Sequence, residues 1–344
     1  VKHIYISNPN LQYWFEETGV DGNIVNDLDV WLSLPSNECV ALWETQDFGN
    51  DTESELEKIV SHASKALVFL PEFIDDHWCK KFDRPNVVFY IAGILNWTPG
   101  HSQVKFHYYF FWSTTDFYHT QQNWLPKVSN VLPKDKFFDV LLGRRKVHRS
   151  MVYDSMDHSQ NIVTYYPTNV DLDLRNYSSS QFIWPVDLPE NEITFTGSEV
   201  VVDSTIVSLS QLVPIDVYNH SAYSLIAETQ SENSFSFFTE KIIKPMMCRR
   251  LFVVAGGQYY LHNLRKLGFQ TFHGIIDESY DSEPDISVRV KLMLEQVAYL
   301  QTQEQAKIYQ LCQPIVEHNY DLTMKTAWVA RMIADIKSTL DTAS

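Results

Sequence analysis

Lys241, Lys244, Arg249 and Arg250 fall within ten residues that contain no acid, in a chain of net charge −16. They lie in Phe237–Gly257, FFTEKIIKPMMCRRLFVVAGG, which opens on Thr-Glu-Lys as a helix start. Pro245 bends or ends that helix, and the apolar strand Leu251–Ala255 follows, closed by Gly256-Gly257. A local positive field beside a helix start suits a bound polyanion such as a nucleotide diphosphate. The same residues also fit a solvated basic helix face. A second basic group, Arg144-Arg145-Lys146 with His148 and Arg149, stands far away in sequence. If the two groups converge in space, they form one electropositive cleft.

The chain that must position these residues has 344 of them, room for two ordinary domains. With 44% hydrophobic and 20% charged residues the composition is globular, and 14% aromatics supply core bulk and flat stacking surfaces. Cys39, Cys79, Cys248 and Cys312 are scattered without metal spacing and read as reduced, buried thiols. No basic-then-apolar leader and no run approaching the ~20 apolar residues of a bilayer span is present, which predicts a cytoplasmic chain (the host cytoplasm, if phage-encoded) without a transmembrane segment.

Strands are expected at Lys2–Ser7, Ala66–Leu70, Asn86–Ile91 and Lys105–Trp112, with an amphipathic helix over Thr52–Lys65. Further strands are expected at Asn161–Tyr166, Tyr223–Ala227 and Leu251–Ala255, a helix at Tyr259–Leu267, and helical periodicity from Ile286 to about Leu340. Between about Asp171 and Ser198 the composition is that of a polar insertion or crossover. This alternation predicts an α/β chain with parallel layers. A boundary between about Asn123 and Pro133 divides it into residues 1–128 and 129–344.

The segment Tyr223–Ile242, YSLIAETQSENSFSFFTEKI, resembles the signature region of the α1,3-fucosyltransferase family. There an apolar strand ends in a glutamate, and a polar loop leads to an aromatic-x-Thr-Glu-Lys helix start. Leu264–Asp281 is similar to the C-terminal part of fucosyltransferase-like proteins of bacteria and phages. The resemblance implies a GT-B-like architecture: two Rossmann-like domains facing a central cleft, the N-terminal one binding acceptor, the C-terminal one nucleotide sugar, with C-terminal helices. It implies a glycosyltransferase, inverting and metal-independent, with a nucleotide sugar as co-substrate and no other cofactor. Lys241 would contact the donor diphosphate, Glu240 would hold the ribose hydroxyls, and Glu228 would orient the loop or touch the donor. Thr239 would cap the helix beside the donor, and Arg149 or Arg144 would clamp a second phosphate, since arginine's planar fork suits phosphate. The family's Gly-Glu-Asn after an N-terminal strand has no counterpart; Ala92-Gly93-Ile94 stands there. A glycan acceptor and a hydroxymethylated base in phage DNA both stay open, as does a non-catalytic sugar- or nucleotide-binding module.

Inverting transfer to a hydroxyl needs a carboxylate base near the acceptor. Asp116, just after the expected aromatic strand, is the first candidate, with Glu44 and Asp47 of WETQDFGND as competitors. Asp27-Leu28-Asp29 and Asp171-Leu172-Asp173 have Asp-x-Asp spacing, which is common by chance, and no metal is expected. The histidines show no zinc spacing, and neither a Walker loop nor a Gly-x-Ser-x-Gly elbow is present.

Overall fold

The computed structural model describes residues 2–45, 50–71, 76–120, 124–142, 146–164, 194–196, 199–202, 205–208 and 212–342. The protein is α/β and divides into two compact units, Val1–Trp112 with Ala327–Ser344, and Ser113–Thr326.

The first unit carries β1 (His3–Ile6), α1 (Pro9–Thr18), β2 (Asn23–Val25), α2 (Leu28–Leu32), β3 (Cys39–Glu44), α3 (Asn50–His62), β4 (Lys65–Leu70), α4 (His77–Lys81), β5 (Val87–Ile91), β6 (Gly93–Leu95), β7 (Gln103–Phe106) and the first turn of α5 (Tyr109–Thr120). One parallel sheet runs in the order β2-β1-β3-β4-β5-β7. Its central strands CVALWE, KALVFL and VVFYI are almost wholly buried, as strands covered on both faces must be. Helix α1 shows why its sequence folds locally. Asn8 caps it by accepting the Leu11 N–H at 3.0 Å, Pro9 opens it, and Gly19 closes it at φ 65°.

The second unit holds β8 (Lys136–Leu141), α6 (Val147–Ser155), β9 (Ile162–Thr164), β10 (Thr194–Thr196), β11 (Glu199–Val202), β12 (Thr205–Ser208), α7 (Ile215–His220), β13 (Ser221–Ala227), β14 (Phe235–Phe237), α8 (Glu240–Met247), β15 (Phe252–Ala255), α9 (Tyr260–Lys266), α10 (Ile286–Gln301) and α11 (Gln305–Lys325). A second parallel sheet has the order β15-β13-β8-β9. Strands β10–β12 form a separate antiparallel sheet, of which only β10 falls within the polar stretch that ends near Ser198. The final helix, α12 (Trp328–Asp341), belongs to the first unit, where the Lys337 ammonium donates to the Thr18 carbonyl at 2.9 Å and Thr339 meets the Tyr90 hydroxyl at 2.7 Å.

The division therefore differs from the 128/129 boundary, and the helical tail splits between the units because the buried face of α12 packs against α1. One secondary-structure expectation also fails. Over Lys105–Trp112 the strand stops at Phe106, and a helix starts at Tyr109, whose N–H is accepted by the His107 ring Nδ1 at 3.1 Å. An aromatic run fits either element; here that ring begins a helix.

In the second sheet, Arg250 sews three strands together at one point. Its guanidinium meets the Asp139 carboxylate at 2.6 Å and donates to the carbonyls of Tyr218 and Ser221 at 3.0 and 2.9 Å. Ser221 and Ser224 donate to the same Asp139 oxygen at 3.0 and 2.9 Å. Both charged groups are buried, so the pair's partners are satisfied internally.

His107 is also buried, and burial pushes its pKa down to about 3. The unfolded state, with an ordinary imidazole near 6.5, binds the extra proton between those values. The stability from neutral His107 is therefore complete above pH 6.5 and is lost as pH falls from 6.5 toward 3. Urea unfolding across pH 7 to 4 is expected to show this acid-side loss, approaching about 1.4 kcal/mol per pH unit for one such group. His107→Asn, which cannot titrate there, is expected to flatten it; an unchanged slope would place the titration elsewhere.

Candidate functional site

In open parallel sheets ligands bind beyond the carboxyl ends of the strands, at the point where strand order reverses. In the second unit that point lies between β8 and β13, since the chain leaves β8 for β9 on one side and later takes up β13 on the other. The residue immediately after β13 is Glu228, with no exposed surface. Its N–H extends the ladder by donating to the Ala255 carbonyl at 3.0 Å. Its carboxylate accepts the Thr229 N–H at 3.0 Å, the Thr239 hydroxyl at 2.9 Å and the Tyr260 hydroxyl at 2.8 Å. Its carbonyl accepts His148 Nε2 at 2.9 Å and an Arg149 Nη at 3.0 Å. A single buried residue thereby fixes α6, β13 and the starts of α8 and α9. His148 donates as a neutral imidazole: burial, assisted by Arg149, Lys146 and Arg289, holds its pKa down at about 4.

Two lysines meet at the next residue, Thr229. Lys146 donates to the Thr229 carbonyl at 2.5 Å and to Gln230 Oε1 at 3.2 Å. Lys241 donates to the Thr229 hydroxyl at 3.0 Å, to Thr239 Oγ1 at 3.2 Å and to Glu240 Oε1 at 2.9 Å. Burial, then the neighbouring charges of Arg149 and Lys241, lowers the Lys146 pKa. Burial pushes Lys244 down to about 8, with Lys241 adding to the effect and Glu240 opposing it. The Glu240 carboxyl is raised by burial but more strongly lowered by Lys241 and Lys244, and it ends below its ordinary value. Part of each basic group thus converges: Lys146 and Arg149 from one, Lys241 from the other, while Lys244 reaches the Leu212 carbonyl at 3.4 Å.

Helix termini sharpen the location. Lys146 is the N-cap residue of α6, and its side chain makes no capping hydrogen bond. The N-terminus of α9 is already filled, because the Asp281 carboxylate accepts the N–H groups of Leu261 and His262 at 2.8 and 2.9 Å. Thr239 caps α8, accepting the Lys241 N–H at 3.4 Å. An anion is best accommodated where α6 starts beside Lys146, Arg149 and Lys241.

Other expected site residues lie elsewhere. Arg249 and Arg250 follow the far end of α8, about 12 Å along an eight-residue helix from Lys241. Arg249 pairs with Glu317 at 2.8 Å and stacks on Tyr320, while Arg250 is the internal partner of Asp139. The run of four cations is therefore two pairs with different work. Asp116 sits on the exposed side of α5 and not at a strand end, because that helix has begun two turns earlier. Arg144 and Asp47 lie outside the described residues, as do Asp171 and Asp173. Asp27 accepts the Val30 N–H at 3.0 Å as the cap of α2. Among the described residues no group of three or more His, Cys, Asp or Glu side chains could hold a metal ion, and no helix is long and apolar enough to cross a membrane.

Glu44 stands at the end of β3, beside β1 at the reversal point of the first unit's sheet. Asn8 Nδ2 donates to its carboxylate at 2.5 Å, the Ser7 hydroxyl accepts its N–H at 2.9 Å, and burial raises its pKa against the Asn8 hydrogen bond. Sequence reasoning passed over Arg289 entirely. Buried on α10, it donates to the carbonyls of Gly256 at 3.2 Å, Ser231 at 3.0 Å and Glu283, and to Asn233 Oδ1 at 3.1 Å, tying the loop after Glu228 to the end of β15. The available signal was a cation on an apolar stripe, since Arg289, Met293, Val297 and Leu300 share the buried face of α10.

No protein-family model matches this chain, and no curated protein matches it. What the structure defines is an α/β protein with two parallel sheets, each ending in a polar constellation at its reversal point.

Removing the Glu228 carboxylate orphans the Thr239 and Tyr260 hydroxyls and the Thr229 N–H. Glu228→Ala is expected to lower unfolding stability by about 2–5 kcal/mol in urea titrations. Tyr260→Phe, which removes one donor, should lose about 1 kcal/mol. A near-neutral Glu228→Ala would contradict the hub.

Proposed function

We propose that the chain is a glycosyltransferase of GT-B type that takes a nucleotide-sugar donor in its second unit and transfers the sugar to a hydroxyl acceptor. The observation that carries this reading is the placement of Arg149 on Glu228 and of Lys146 and Lys241 on Thr229, at the reversal point of a parallel sheet and beside the start of α6, whose N-cap residue makes no side-chain capping bond. Breaking the bond from sugar to diphosphate develops negative charge on the leaving oxygen. Fixed cations and helix N–H groups in a water-poor site stabilise that charge. This is the work a metal does in other transferases. Glu240, partly engaged by Lys241, has a second carboxylate oxygen with which to receive ribose hydroxyls.

In this reading Glu44 supplies the base. A carboxyl whose pKa is raised by burial, and which Asn8 orients, is a stronger base toward an acceptor hydroxyl than an ordinary carboxylate. Asp116, on an exposed helical face, ranks behind it. The full engagement of Lys241 by internal acceptors also supports a second reading, in which the cluster only braces the fold around Glu228.

Calorimetry with UDP, GDP, CDP and ADP separates the two readings. The transferase reading expects binding of at least one of them, weakened about 10- to 100-fold in Lys241→Ala and in Lys146→Ala, as charge-assisted contacts imply. No binding by the wild-type chain leaves the bracing role. Once an acceptor is found among glycans or hydroxymethylated DNA, Glu44→Gln is expected to lower kcat about 100-fold or more with donor affinity retained. Normal turnover in that variant would remove Glu44 from catalysis.

A further inference from the structure

Two non-glycine residues among those described have a left-handed backbone, Arg249 at φ 53° and Tyr259 at φ 62°. Arg249 has an internal reason, because its side chain is held by Glu317 and Tyr320. The backbone of Tyr259 is equally well held, but its side chain is not. Its N–H donates to the Asp281 carbonyl at 2.7 Å, and the Asp281 carboxylate takes the N–H groups of Leu261 and His262. Just upstream, a Cβ on Gly257 would run into the carbonyl oxygens of Glu232 and Phe235, so the turn is locked from both sides. The locked turn sends consecutive aromatics in opposite directions. Tyr260 is buried and reaches the Glu228 carboxylate, whereas Tyr259 is 39% exposed. The Tyr259 hydroxyl has no hydrogen-bond partner among the described residues, and the ring's one aromatic neighbour among them is the exposed His262, edge-on at 6.2 Å. A left-handed backbone disfavours a bulky side chain that glycine or asparagine would replace without strain. An aromatic kept there, facing outward, presents a flat surface at some cost to the fold.

That surface lies at the carboxyl end of β15, hydrogen-bonded neighbour of β13, so it stands one strand over from Glu228 and Thr229. We propose that Tyr259 is the stacking platform for the base of a nucleotide whose diphosphate lies against Lys146, Arg149 and Lys241. The inference rests on the donor reading above and adds the ligand class: a purine or pyrimidine nucleotide, held by its ring face as well as by its phosphates. Aromatic faces stack on bases through their area and π surface, and the loss on truncation is commonly tenfold or more.

The test compares inorganic pyrophosphate with UDP, GDP, CDP and ADP by calorimetry, on the wild-type chain, Tyr259→Phe and Tyr259→Gly. Glycine keeps the left-handed turn, so that variant is expected to melt no lower than wild type. Expected are unchanged pyrophosphate affinity in both variants, nucleotide affinity within about twofold in Tyr259→Phe, and about tenfold weaker nucleotide binding in Tyr259→Gly. Nucleotide binding as tight in Tyr259→Gly as in wild type overturns the platform and leaves the donor reading intact. An equal loss for pyrophosphate and nucleotides also overturns it, because the residue would then shape the anion site. If the wild-type chain binds neither pyrophosphate nor any nucleotide, both readings fall together.

Discussion

A carboxylate with no access to water is the constraint around which the second unit is arranged. An ionised group in that position is tolerable only if strong donors surround it, and Glu228 has the hydroxyls of Thr239 and Tyr260 and the Thr229 N–H. Each donor comes from a different piece of chain, so satisfying one charge dictates where α8 and α9 begin. The carbonyl of the same residue does this for α6 through His148 and Arg149. The positive side chains then collect around Thr229 because the scaffold leaves them little choice. Charge in the core and charge in the site belong to one network.

The Asp139–Arg250 pair plays the complementary part within the same sheet. It joins β8, β13 and the entry to β15 at a point below their carboxyl ends. With strands clamped there and helices hung from Glu228, the region between is over-determined. Sites built on rigid elements hold their geometry better than sites on loops. Arg289 extends that rigidity to the loop after Glu228, whose residues Thr229 to Ser234 are all polar and offer no apolar side chain to anchor it.

Much of the fold was legible because parallel strands covered on both faces advertise themselves as apolar runs; Ala66–Leu70 and Leu251–Ala255 need no partner to be recognised. Glu228, Thr239, Glu240 and Lys241 were visible as one contiguous pattern. Spacing cannot say which way neighbouring side chains point, and so Lys241 and Arg250 looked alike although one meets Thr229 and the other the buried Asp139. The end of the strand near Phe106 was hidden for a similar reason: an aromatic run fits strand or helix alike, and the His107 contact with the Tyr109 N–H that accompanies the change has no signature in spacing. Arg289 was illegible because its partners are carbonyl groups, which carry no signature in sequence.

The return of α12 to the first unit orders events during synthesis. Tyr90 and Lys105 both await Thr339, and Thr18 awaits Lys337. These partners leave the ribosome hundreds of residues after the elements they complete. The second unit, whose elements are continuous from Ser113 to Thr326, can close on itself first, although it is made later. The order of emergence and the order of completion are therefore opposite. In the interval the face of α1 that meets α12 stays uncovered, which makes the nascent first unit, and not the finished protein, the stage at which association with chaperones or with other chains is most favoured.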